Sequence, residues 1–135
     1  MLIAGAASTT GASHLVLRLS ELGLIDGFVS AQAVREAERN LERKVPAAIP
    51  AFRALLAAAC RPVGDPSADR IAALRDQADP KDVPILAAAL DHGCHWLLTF
   101  DTKDFRPASN RILVAQPGAF IEALRRMLEA LGEQR

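Results

Sequence analysis

Four carboxylates in this sequence stand where chemistry could be done: Glu36, Asp82, Asp101 and Asp104. Three of them sit at the two ends of one short segment, KDVPILAAALDHGCHWLLTFDTKDF (81–105), with almost nothing charged between. Carboxylates held close together repel, and several can stay ionised at short range only if a cation compensates. Oxygen-only ligands favour Mg2+ or Mn2+, hard ions that keep several waters and polarise phosphoryl oxygens, so the natural chemistry is metal-assisted phosphodiester hydrolysis. The chain has no Gly-rich phosphate loop, which argues against an NTPase. Each acid also has a purely structural explanation: Asp82 as a first-turn acid favourable to a helix dipole, Asp101 and Asp104 as turn residues, Glu36 as a solvated helical side chain.

Other residues invite weaker readings. Arg35, Arg39 and Arg43 recur every fourth residue, a stripe suited to RNA phosphates. Glu38 and Glu42 lie within i, i+3 reach of Arg35 and Arg39 and give the same stripe an ion-paired, solvated reading. His92, Cys94 and His95 span a glycine turn and offer no fourth zinc ligand at suitable spacing, so they read as packing residues. Thr99, two residues before Asp101, could hydrogen-bond a carboxylate or simply end a strand.

Positioning these groups requires an ordered set of elements. Ala12, Leu15, Val16, Leu19 and Leu22 recur at helical spacing, and Gly23 is a natural stop. LIDGFVS (24–30) reads as a strand, and Ser30 caps a helix over SAQAVREAERNLERK that carries Glu36. AFRALLAAAC (51–60) reads as a buried helix, RPVGDP as a loop, and SADRIAALRDQA as a short helix beginning at Ser67. Asp79 and Pro80 look like an N-cap and first helical position, predicting a helix from about Pro80 to His92 that stops at Gly93. CHWLLTF and RILVAQ are strand candidates, and residues 117–135 form a C-terminal helix on Phe120, Leu124, Met127 and Leu131. Strands alternating with helices predict an α/β domain with a mainly parallel sheet. In such a sheet the loops leaving the strands' carboxyl ends gather along one edge, where Asp101 would lie.

The bulk properties set outer bounds. At 135 residues, 50% hydrophobic and 24% charged, the chain suits one globular domain. Its 16 basic and 16 acidic residues cancel, so no overall field steers it to nucleic acid or anionic membrane. The two cysteines make no disulfide framework, and the apolar runs fall far short of the roughly 20 residues needed to span a bilayer. A cytoplasmic protein is the expectation.

ADPKDVPILAAALDHGCHWLLTFDTKDF resembles the C-terminal half of the PIN-domain family: an Asp before an Ile-Leu-Ala-Ala-Ala helix, a Gly turn, an apolar strand ending in Thr, and an acid-rich loop ending in Asp-Phe. Upstream, VSAQAVREAERNL is similar to the family's strand, Ser cap and Glu-bearing helix, so the likeness runs from about Leu2 to Val114. This resemblance implies a three-layer α/β/α sandwich, a Mg2+ or Mn2+ site of clustered carboxylates, and cleavage of single-stranded RNA. Carried over by position, Glu36, Asp82, Asp101 and Asp104 correspond to the family's catalytic and metal-holding acids. Many members are toxins of toxin and antitoxin pairs, and dimers are common, so an antitoxin partner and a homodimer are further expectations.

One departure stands out. The family opens with a central strand that delivers an Asp, whereas LIAGAAS resembles the segment that follows that strand. The expectation is therefore an N-terminally shortened PIN-like domain over residues 1–135, lacking the first strand and its acid. The alternative function is a catalytically weak or inactive PIN-like module that binds RNA or an antitoxin. A receiver-like or other flavodoxin-type module also places carboxylates at strand ends, but the acids here cluster late in the chain.

Overall fold

The computed structural model describes residues 2–3 and 11–133. Five parallel strands form one sheet in the order β3-β2-β1-β4-β5: β1 Leu2–Ile3, β2 Gly27–Ser30, β3 Cys60–Val63, β4 Trp96–Leu98 and β5 Leu113–Ala115. Leu2 and Ile3 stand level with Phe28 and Val29 on one side and Leu97 and Leu98 on the other. The first strand is therefore not missing, which corrects the expectation from sequence: a two-residue strand holds the central place. Neither Leu2 nor Ile3 is acidic, so β1 as described supplies no carboxylate.

Among the described residues six α-helices pack around the sheet: α1 Gly11–Glu21, α2 Ala31–Lys44, α3 Ile49–Ala59, α4 Ala68–Ala73, α5 Val83–Asp91 and α6 Pro117–Glu133. Period-two alternation along the strands divides the core between the sheet's two faces. Leu97, with half-buried Phe28 and Val114, joins α5 and Leu74 on one side. Val29 packs with Leu17, Ala33, Phe52 and Leu56 on the other, and Leu98 packs there with Val16 and Phe120. α5 is the most deeply buried helix, with Ile85, Leu86, Ala87, Ala88 and Ala89 all at 1% exposure or less. Its small residues let it lie close against the sheet.

Local signals account for the boundaries. Ser30 Oγ accepts from Ala33 N at 3.0 Å and Ser67 Oγ from Arg70 N at 3.2 Å, as their cap positions require. α1 and α5 both end on a left-handed glycine, Gly23 at φ 79° and Gly93 at φ 66°. In each case the next residue's N–H reaches back to a helix carbonyl: Leu24 to Leu19 and Cys94 to Ala89.

Two expectations are corrected. Residues 61–63 are strand rather than loop; β3 is an edge strand, where Pro62, lacking an N–H, is tolerated. α5 begins at Val83, three residues later than predicted, with Asp82 at the N-cap. The cause is Pro84: a helix running through Pro80 would need residue 84 to donate to the carbonyl of residue 80, and proline has no N–H to give. In the first turn of α5 that donor is not needed.

Candidate metal and nucleic-acid site

Three chain segments deliver acids to the carboxyl edge of the sheet. α2 leaves β2 and carries Glu36 in its second turn. The turn before α5 carries Asp79 and Asp82, and a 3-10 turn after β4, Thr102–Asp104, carries Asp104. The two loops are clasped to each other: Ala78 and Phe105 form an antiparallel bridge, Asp79 N donates to Asp104 O at 2.9 Å, and Arg106 N donates to Gln77 O at 2.6 Å. This clasp brings together acids more than twenty positions apart in sequence.

Asp79, Asp82 and Asp104 each turn a carboxylate oxygen to a common point, all within 4.8 Å of one another. Asp82 is buried, and the other two are half-buried. The ammonium of Lys81 lies among them, 2.6 Å from Asp82 Oδ2 and 3.3 Å from Asp104 Oδ2. Arg106 reaches Asp79 Oδ1 at 3.2 Å. Burial holds the Asp82 carboxyl above its ordinary value; the hydrogen bond and charge of Lys81 oppose this, while the charges of Asp104 and Glu36 add to it. The Lys81 ammonium is correspondingly pushed up, first by its hydrogen bond to Asp82, against a smaller effect of burial, and then by its bond to Asp104.

The residues expected from sequence separate into two groups. Asp82 and Asp104 meet, and Glu36 is near enough to act on Asp82 electrostatically; Glu36 Oε1 lies 3.4 Å from Gln32 Nε2. Asp101 is exposed and stands outside the converging set, capping the 3-10 turn without a side-chain cap bond. Its N–H donates to the buried Thr99 hydroxyl at 3.1 Å, so Thr99 fixes the loop's course. Asp79, read from sequence as a helix cap, is the member that reasoning missed. No local signal distinguishes it, because its place is set by the clasp with the loop after β4.

Arg39 and Arg43 line an open cleft of about 560 Å³ beside the acids, with Glu36, Asn40, Glu42 and Lys81. Arg35 lies elsewhere, 3.8 Å from Asp65. Glu38 pairs with Arg53 of α3 at 2.8 Å rather than with the arginine stripe, and that hydrogen bond lowers the Glu38 pKa. Cys94 is buried at the start of the β4 segment, and Cys60 is buried with its thiol pushed up to about 11 by burial. Both are packing residues.

The donor set fits a divalent cation. Three carboxylates with no nitrogen or sulfur among them are the hard oxygen donors that an ion such as Mg2+ takes, and the Lys81 ammonium sits between two of them. No helix among the described residues is long and apolar enough to cross a membrane.

An open parallel sheet with acids converging at its carboxyl edge, beside a cleft with basic side chains, makes an α/β domain with a candidate cation site where sites form in this architecture. The PIN-domain family profile matches residues 1–103, and the chain belongs to that family. PIN domains are in general nucleases that bind RNA and typically depend on divalent metal. Comparison with curated proteins and with solved structures gives no match.

Proposed function

We propose that the chain is a divalent-metal-dependent ribonuclease acting on single-stranded RNA. The observation that supports this most directly is the meeting of Asp79, Asp82 and Asp104 within 4.8 Å at the edge of the sheet. These three would hold Mg2+ or Mn2+, with Asp101 acting from the exposed mouth through water. A divalent ion there supplies Lewis-acid stabilisation of the charge that grows on a phosphoryl oxygen. Glu36, on the cleft wall, would accept a hydrogen bond from a water brought up to the phosphate and take its proton. Arg39 and Arg43 hold flanking phosphates along the same cleft. Arg35 extends that phosphate track only if its contact with Asp65 gives way, being 58% exposed and free to turn.

The test is cleavage of an unstructured RNA in Mn2+, lost in Asp82→Asn and in Asp101→Asn. Cleavage that persists in excess chelator rejects the proposal. A second reading, an inactive module binding RNA or an antitoxin through the same cleft, is favoured by two observations. Lys81 and Arg106 already neutralise the acids, and β1 as described brings none. Absence of Mn2+ binding in calorimetric titration selects it. The finer role proposed is that of a toxin, neutralised on co-expression with a partner protein. A second copy would cover the exposed Leu15 of α1 and Leu128 of α6, which sedimentation at increasing concentration tests.

A further inference from the structure

The geometry points to Lys81 as a built-in occupant of the carboxylate site, whose ammonium holds the place between Asp82 and Asp104 and must swing out before a divalent cation enters. The inference rests on the metal-site reading above and adds a regulatory element to it. Among the described residues, Lys81 is the only cation that bridges two of the three converging acids; Arg106 reaches only Asp79.

The backbone and side chain of Lys81 are held very differently. Gln32 Nε2, from α2, donates to the Lys81 carbonyl oxygen, and the preceding turn is closed by Asp82 N on Asp79 O at 2.8 Å. The main chain is thus fixed to the helix that carries Glu36. The side chain is 65% exposed, while those of Asp82 and Asp104 are only 8% and 14% exposed. The carboxylates stay and the lysine can leave. Its exit lies in the cleft it already lines with Glu36, Arg39, Glu42 and Arg43, so loading the site adds a third basic group to the wall where phosphates would lie.

A cation entering must break two charge-assisted hydrogen bonds and, until the ammonium moves, faces a like charge at close range. Removing the ammonium should therefore tighten metal binding rather than weaken it. Calorimetric titration of Mn2+ into the full chain and into Lys81→Met should give about tenfold tighter binding in the variant, a difference of about 1.4 kcal/mol, with Lys81→Arg close to the wild type. Binding by Lys81→Met with the wild type silent also supports the inference. Equal or weaker binding by Lys81→Met overturns it while leaving the metal site standing, whereas absence of binding in both proteins removes the metal site and this inference together. A second measurement needs no variant. Acetylation of the wild type, read by mass spectrometry, should become severalfold faster at Lys81 on adding saturating Mg2+, with Lys44 unchanged, and an unchanged Lys81 rate overturns the inference.

Discussion

Replacing Asp82 by Asn should make the metal-free protein more stable and the metal-loaded protein less so. The Asp82 side chain is 8% exposed, and its carboxylate is charged among Asp104 and Glu36. Desolvating such a group without full compensation costs about 1–3 kcal/mol. The compensation comes from Lys81, whose side chain is 65% exposed, so the pair is screened by solvent and contributes on the order of 0–1 kcal/mol. Asn keeps the shape, and no cap bond is lost because the Asp82 side chain makes none at α5. The net expectation is a gain of about 1 kcal/mol, or about 3–5 °C in Tm for a chain of this size.

The pH dependence has a defined sign. Burial raises the folded-state pKa of Asp82 above the 3.8 of the unfolded chain, so the native state binds more protons between the two values. Native stability from this group therefore falls as pH rises through that window, and its cost is fully present above the folded pKa. The advantage of Asp82→Asn should be largest at neutral pH and vanish below the unfolded value. With Mn2+ the order reverses. At about 100 times its Kd the ion stabilises the wild type by about 2.7 kcal/mol, roughly 10 °C, and the variant by almost nothing. The assay is thermal unfolding followed by circular dichroism, in chelator and across a Mn2+ series. A variant clearly less stable than wild type in chelator, or one shifted equally by Mn2+, would refute the reasoning.

Three further outcomes are expected. Arg39→Ala and Arg43→Ala should each weaken RNA binding and reduce the slope of log K against log salt by about 1, measured by fluorescence anisotropy; an unchanged slope removes that arginine from the interface. Leu86→Ala, at a fully buried position of α5, should cost about 2–5 kcal/mol by denaturant titration, and a loss below about 1 kcal/mol would mean the helix is not packed as described. Gly27→Ala should cost about 1–3 kcal/mol, because a Cβ there would come 2.3 Å from Ser20 Oγ, which is itself committed to the Ala59 carbonyl. Equal stability would show that Ser20 can turn away.

Elements carrying their own boundary signals were readable from sequence. Ser30, Ser67, Gly23 and Gly93 act through bonds to backbone a few residues away, so a short window contains cause and effect. β3 was hidden for the opposite reason. Cys60-Arg61-Pro62-Val63 has no strand pattern of its own and becomes strand only because β2 offers a free edge, pairing Gly27 with Cys60 through Ser30 with Val63. β1 was hidden similarly: Leu2 and Ile3 are too few to register as a strand alone, and their neighbours on both sides define them. Glu38 was expected to answer the arginines of its own helix, yet its partner Arg53 lies 15 residues away on α3.

The candidate site shows how far local wording can mislead. The two acidic turns read alike, Asp79-Pro80-Lys81-Asp82 and Asp101-Thr102-Lys103-Asp104, and each closes with its last N–H on its first carbonyl, at 2.8 and 3.0 Å. Sequence gives no reason to treat their members differently. The structure uses them asymmetrically: both closing acids, Asp82 and Asp104, enter the cluster, but of the opening acids only Asp79 does, and of the lysines only Lys81 bridges. The clasp explains the difference, because it bonds Asp79 N to Asp104 O and lays the opening of one turn on the close of the other. Asp101, at the far end of its turn, is left at the exposed mouth. A loop pairing across more than twenty residues thus decides which of two similar acids joins the converging carboxylates and which stays at the exposed mouth.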